Sequence, residues 1–251
     1  MFTGFYTAAS GMLTQQRILN VQANNIANIG TPGFKSEQVV STTFEQTLLS
    51  RLEGANSGKI GKGTPIRLVQ DVASNFDANM VEQTNRPYDL AIGGEGYFTV
   101  EVGEREMLTR NGNFDIDPDG YLVLRGAGRV LGEKGPIQIG GAEFTVTADG
   151  TVYDAKEKML DRLLIQQTTQ GAQLEKFANG LYTIPQGQEE TALQQNPDVM
   201  VYQGFTERSN VDINREMTMV IETQRNFQTC NNALKMIDQM NQKTASQIAS
   251  L

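Results

Sequence analysis

The chain has 251 residues, 39% hydrophobic and 20% charged, enough apolar material for one large domain or two modest ones and too much for disorder throughout. Its 21 Lys and Arg against 29 Asp and Glu give a net charge of −8 and a pI near 4.7, which excludes a basic face for nucleic acid. With no His and a single Cys (Cys230), Ser-His-Asp and Cys-His catalysis, His-ligated metals, zinc ribbons and an internal disulfide framework are excluded.

The N-terminal segment opens without the basic and apolar regions of a cleavable signal peptide, and no run approaches the ~20 apolar residues of a transmembrane helix. Residues 1–34 contain one charged side chain, Arg17, although Thr, Ser, Gln and Asn are plentiful. A solvated surface helix draws its outer face from Glu, Lys and Arg, so a polar but uncharged helix is expected to meet protein on several sides. Steps of four and three place Phe5, Ala9, Met12, Gln16, Leu19, Ala23 and Ile26 on one heptad-like stripe. Gly30-Thr31-Pro32-Gly33 breaks the pattern, which predicts a helix end near Asn28.

Residues 35–86 read as an extended linker, in which an amphipathic piece from Phe44 to Leu52 gives way to the Gly-rich run Gly54 to Gly63. From 87 to 205 the period changes to two. Strands are predicted at 97–102, 121–124, 129–131, 136–139, 143–147, 162–167, 181–184 and 199–202. Turn signals separate them at Asn111-Gly112, Asp119-Gly120, Gly140-Gly141, Asp149-Gly150 and Asn179-Gly180. That spacing predicts an antiparallel β domain.

From Ser209 the chain turns helical again, with four acids and four bases, which leaves residues 35–208 with a net −9. Ile213, Met217, Val220, Gln224, Phe227, Asn231 and Leu234 repeat the four-three spacing. Ile237, Thr244, Ile248 and Leu251 continue it after a slip of phase, and Ser209 or Asp212 is the expected N-cap. At ~1.5 Å per residue the two helices are rods of roughly 40 and 60 Å. Polar residues on the seams, and Gly4 and Gly11, make an isolated pair marginal in water. The predicted fold class is α+β: N- and C-terminal helices (1–34 and 206–251) paired as a coiled coil, with a central antiparallel β domain.

Candidate chemical sites are weak. Asp115, Asp117, Asp119 and Gly120 open like a calcium loop, but Gly126 stands where the twelfth-position Glu belongs, so a Pro-Asp-Gly hairpin turn is expected. The clusters Gly93-Gly94-Glu95-Gly96 and Gly58 to Gly63 lack the Walker ending and the strand-to-helix setting of a dinucleotide fingerprint, and read as turns. Glu101, Glu104 and Glu106 offer carboxylates for glycosidase chemistry, with nothing to single out a pair. Cys230 has no close basic neighbour and reads as an inert thiol. Met217, Met219, Met236 and Met240 suit a helix that fits more than one neighbour. No catalytic residue, metal or cofactor is expected.

Residues 23–35, AlaAsnAsnIleAlaAsnIleGlyThrProGlyPheLys, closely resemble the N-terminal signature of bacterial flagellar rod and hook proteins. Residues 89–98 (Asp89 to Phe98) and Thr109 to Phe114 with Asp119 to Val123 resemble that family's central motifs. Tyr202-Gln203-Gly204, Ser209 to Asp212, Glu216-Met217 and Gln224 to Phe227 resemble its C-terminal helix. The resemblance runs end to end. It implies a non-enzymatic axial subunit that passes through the flagellar type III export apparatus without a cleaved signal and polymerises helically with itself and with other rod and hook subunits. The terminal helices are then paired in the inner tube, with the β domain outside.

On that reading the assembly interface comprises Phe5, Met12, Leu19 and Ile26 packing with Met217, Val220, Phe227 and Leu234, with Gln224 and Asn231 on the seam. Asn24, Asn25 and Asn28 are expected to hydrogen-bond between subunits. Phe44 through Gly63 and Tyr202 to Phe205 resemble distal-rod subunits, whereas Gly132 to Ile137 and Ala148 to Val152 are more like proximal-rod members, so distal rod is expected with proximal rod second. The alternative from the residues alone is a secreted β-domain ligand-binding module or His-free carbohydrate hydrolase on a helical stalk.

Overall fold

A computed structural model describes residues 2–43, 67–75, 80–103, 105–140, 143–169, 174–177, 180–184, 193–195 and 199–249. The chain divides into two compact units. One holds Met1–Ile29, Ser36–Asn75 and Val211–Leu251, and the other Gly30–Lys35 and Phe76–Asn210.

In the helical unit, helix α1 (Phe2–Ala27) stops where expected, its last turn closed by Asn28 N donating to the carbonyls of Asn24 and Asn25. Helix α2 (Ile213–Ala249) starts at Asp212, whose Oδ1 accepts from the backbone N–H of Asn214 at 2.9 Å and of Arg215 at 3.4 Å. Asp212 is therefore the N-cap, where its carboxylate also meets the positive end of the helix dipole. The helices run antiparallel: Gly4 faces Ile237, Gly11 faces Cys230, and Asn25 reaches Glu216.

Strands Glu37–Thr43 and Arg67–Ser74 pair antiparallel in the same unit, with a bulge between Val40 and Ser41. They lie in the stretch read from sequence as linker. Val39, Val40, Leu68 and Val72 supply β-branched and aliphatic material there, but each strand depends on a partner about 30 residues away, which local pattern does not reveal. The amphipathic piece 44–52 and the Gly-rich run 54–63 lie outside the described residues.

The β unit is antiparallel throughout its described ladders. Its main sheet centres on Tyr97–Val102, flanked by Arg105–Thr109 on one side and Gly128–Gly132 on the other. Leu181–Thr183 and Glu175–Lys176 extend one side, and Leu122–Leu124 and Phe114–Ile116 the other. Ile165–Thr168 also joins Tyr97–Val102, at Phe98 and Tyr97. A three-stranded sheet (Phe144–Val146, Thr151–Asp154, Met159–Arg162) and two two-stranded ladders, Met200–Gln203 on Leu90–Gly93 and Phe205–Glu207 on Val81–Gln83, complete it.

Their inward side chains form one core that includes Leu90, Phe98, Val100, Phe114, Leu122, Val130, Val152 and Val201, with Phe98 and Phe114 edge to face at 5.1 Å. Strand 97–102 lies where alternation predicts it. The predicted strand 162–167 is instead two, because Leu163 and Leu164 donate to different partners, the carbonyls of Gly150 and Leu131.

Candidate functional site

The helical unit carries a buried polar lock. Asn25, 1% exposed, donates from Nδ2 to the Glu37 carbonyl at 2.9 Å and to Glu216 Oε1 at 3.3 Å, while its Oδ1 accepts from Glu37 N at 2.9 Å. One amide thus ties α1, the first residue of strand Glu37–Thr43 and the first turn of α2. One helical turn along α1, buried Gln22 donates to Thr223 Oγ1 at 3.3 Å, and that hydroxyl donates to its own helix at Met219 O. Farther along, the seam is made by small groups: Thr14 is buried, and Gly11 and Gly4 present bare backbone to Cys230 and Ile237.

The residues expected from periodicity lie differently. Phe5 is exposed, Met12, Leu19 and Ile26 are half-buried, and on α2 Met217 and Gln224 are exposed while Val220, Phe227, Asn231 and Leu234 are half-buried. The buried positions of α2 near its start are Glu216 and Thr223, each one residue away from the predicted Met217 and Gln224. Within the chain the seam therefore draws on small and polar groups, and Phe5, Met217 and Gln224 face outward. Asn25 spends its amide within the chain, on Glu37 and Glu216. Asn28 Nδ2 donates to Asn24 O and Oδ1, both at 2.9 Å, and Asn24 reaches Glu37 Oε2 at 3.4 Å. The side chain of Ile248, and Leu251, lie outside the described residues.

In the β unit the sequence motifs converge. Leu90 N donates to Gly112 O, Asn113 Nδ2 donates to buried Asp89 Oδ1 at 3.0 Å, and Gly204 N donates to Asp89 O at 2.8 Å. Gly112 has to be glycine, because a Cβ there would stand 1.6 Å from the Leu90 carbonyl oxygen. Arg110, 7% exposed, donates to the carbonyls of Ile92 at 3.4 Å and Gly94 at 2.5 Å. The glycine cluster at 93–96 is therefore a loop wrapped on a guanidinium, which accounts for it without a phosphate.

Arg110 also faces Glu207 Oε2 at 3.4 Å, and Lys35 Nζ donates to Glu207 Oε1 at 2.7 Å. All three are nearly inaccessible to water, so one carboxylate serves two buried cations. Gly33, at φ +67°, sits against the Arg110 backbone, where a Cβ would fall 2.4 Å from the carbonyl carbon and oxygen. Gly33 N donates to Glu207 O at 2.7 Å, and Lys176 Nζ lies 4.0 Å from the centre of the buried Phe34 ring. The Arg110 guanidinium also lies 5.4 Å from the Tyr97 ring centre. Burial pushes the Tyr97 phenol up to about 12 despite that neighbouring cation. Lys35 and Arg110 lie within quoted motifs, but nothing in the sequence marks Glu207 as their partner.

The calcium-like loop is a hairpin turn between Phe114–Ile116 and Leu122–Leu124. Asp117 Oδ1 accepts from Tyr121 N at 2.8 Å, Arg129 bridges Asp117 and Asp119, and Asp115 pairs with Arg125. The Arg125 guanidinium holds the Asp115 carboxyl below its ordinary range. Glu101, half-buried, and Glu106, exposed, sit opposite each other where Tyr97–Val102 pairs with Arg105–Thr109, and Glu104 lies outside the described residues. Among the described residues no group of three or more His, Cys, Asp or Glu gathers to hold a metal.

Three family patterns match the chain in order. They are flagella basal body rod protein at residues 5–35, flagellar hook protein FlgE/F/G D1 domain at 91–154, and flagellar basal body rod FlgEFG protein C-terminal at 202–248. The flagellar basal-body rod protein FlgF of Caulobacter vibrioides is 31% identical over 100% of this chain and 98% of its own length. The chain belongs to the flagellar basal-body rod protein family. FlgG of Bacillus subtilis, also named a flagellar basal-body rod protein, is likewise 31% identical, over 97% of this chain and 98% of its own length. The flagellar hook-basal body complex protein FlhO of the same organism is 26% identical over both full lengths. As a member of the rod family the chain is a structural protein of the flagellar basal body and not an enzyme, and the hydrolase alternative falls away. The three matched patterns contain Asn25 and Glu216, and the cluster of Lys35, Arg110 and Glu207.

Proposed function

We propose that this protein is an axial subunit that polymerises helically with copies of itself and joins other rod and hook subunits, forming part of the shaft that carries torque to the hook. It reaches the cell envelope through the flagellar type III export apparatus. The reading rests on one observation. The two helices spend small and polar groups on each other, while Tyr6, Leu13, Met217, Ile221, Met236 and Met240 stay more than half exposed. Apolar side chains in that number on a helix pair suit burial against neighbouring copies, where many weak contacts sum into a stiff tube. The near absence of charge on α1 suits the same environment. Within the rod, Tyr202-Gln203-Gly204-Phe205 supports the distal section.

Complementation of a strain lacking the protein tests this reading. Leu13→Asp and Met217→Asp should leave the melting of the β unit unchanged in the purified chain and yet give no rods and no swimming. Normal motility from both variants would overturn it. Basal bodies isolated from the deletion strain address the section: a distal subunit leaves a shortened rod behind, a proximal subunit leaves none.

A further inference from the structure

The shortest excursion of the chain between its units is Gly30–Lys35: residues up to Ile29 and from Ser36 belong to the helical unit, and these six to the β unit. Their anchoring is dense for so short a piece. Phe34 and Lys35 are 3% and 1% exposed, Gly33 rests on the Arg110 backbone, and Lys35 ends on Glu207. The outgoing chain lies beside them, with Gly33 N donating to Glu207 O at 2.7 Å and Asn210 N to Phe34 O at 3.4 Å. The next residue, Val211, opens the helical unit, and Asp212 caps α2.

We propose that this staple makes the folded β unit a template for the helix pair. By holding 30–35 against 207–210, it brings the C-terminal end of α1 and the N-terminal end of α2 together, so that pairing starts at Asn25–Glu216 and zips toward Gly4–Ile237. About 185 residues separate Ala27 from Ile213 along the chain. Pinning both connections reduces the loop to be closed to fewer than ten residues, and with a closure probability falling as the 3/2 power of loop length, the ends meet roughly a hundredfold more readily. The side-chain hydrogen bonds are concentrated where such a start needs them. Asn25–Glu37, Asn25–Glu216 and Gln22–Thr223 lie at the end of the pair that the chain joins to residues 30–35 and 207–210, whereas toward the other end Gly11 faces Cys230 and Gly4 faces Ile237. A helix pair that is marginal alone depends on such a nucleus.

Hydrogen exchange with mass readout on the full chain tests the proposal. Amides of 20–27 and 214–224 should exchange at least tenfold more slowly than those of 4–12 and 230–244. A flexible Gly-Ser insert of about twelve residues between Asn210 and Val211 leaves the β unit untouched and lengthens the loop, and should cut the near-end protection roughly fourfold. Phe34→Ala, which loosens the staple itself, should cut it further, while Tyr97–Val102 keeps its protection. Uniform exchange along both helices, or near-end protection unchanged by the insert, would overturn the template. Neither result bears on whether exposed apolar residues drive polymerisation, so the two readings fail separately.

Discussion

Glu207 is a buried carboxylate that faces both Lys35 and Arg110. Glu207→Gln leaves both cations buried without an anion, and unfolding of the purified chain in denaturant should show a loss of about 3–5 kcal/mol. Lys35→Met should cost distinctly less, since Arg110 still faces the carboxylate and the methionine stem fills the same space. Equal losses from the two substitutions would show that Lys35 and not Glu207 is the centre of the cluster. Asp149 gives a second expectation, in pH. The Thr147 and Thr151 hydroxyls donate to its carboxylate and hold its pKa at about 2, below the ordinary 3.8. The ionised form is thus favoured by folding. Its contribution is complete above about pH 4 and is lost as the pH falls through about 2. The group is open to solvent, so the difference between the wild type and Asp149→Ala should stay under ~1 kcal/mol at pH 7 and close toward pH 2 in thermal melts. The Asp-Gly turn at this residue was legible in the sequence from its type alone, whereas the Lys35–Glu207 pair, 172 positions apart, was not.

At the level of elements, the two helix boundaries follow from local chemistry. Gly30 and Pro32 end α1, and Asp212 starts α2. Asp212→Ala should cost about 1 kcal/mol, visible as a loss of helical circular dichroism on warming with the β unit's transition unmoved. Asn25→Ala should cost more, about 1–3 kcal/mol, because it leaves the backbone of Glu37 and the carboxylate of Glu216 short of a partner. Asn25→Asp should not rescue it, since a second carboxylate would then face Glu216. What the pattern could not reveal was the seam. Hydrophobic periodicity finds the most apolar stripe on a helix, and here the packed face is built from Gly4, Gly11, Thr14, Gln22 and Asn25, residues that a hydropathy reading scores as the outside. The seam within the chain runs one position away from Met217 and Gln224 for the same reason: Glu216 and Thr223 bury polar groups that find partners across the pair.

At the level of the whole molecule, the division into units predicts the course of proteolysis. Brief digestion of the purified monomer should release pieces of 1–29 and 211–251 before it cuts within the core strands around Tyr97–Val102, because the helices expose Leu13, Met217, Met236 and Met240 whereas those strands bury Phe98, Val100 and Leu108. In assembled rods the same helical segments should resist cleavage. Helices that resist in the monomer as strongly as the strands would mean that the pair needs no neighbour. The antiparallel β class was legible in the sequence because period-two runs alternate with Gly turns. The ladders were not, since Leu90–Gly93, Arg105–Thr109 and Phe114–Ile116 are short, and their partners are chosen by position rather than by composition.

The sequence by itself determined the class of fold, the places where helices begin and end, and the exclusion of His-dependent chemistry, because each of these depends on residue type and local spacing. Only the tertiary structure decided which helix face is spent inside the chain, that Arg110 gathers the Gly94 loop and Glu207, and that Lys35 closes the cluster. Those are contacts between residues far apart along the chain. Their energy depends on burial and on the geometry of a partner, and neither quantity is written in the order of the residues.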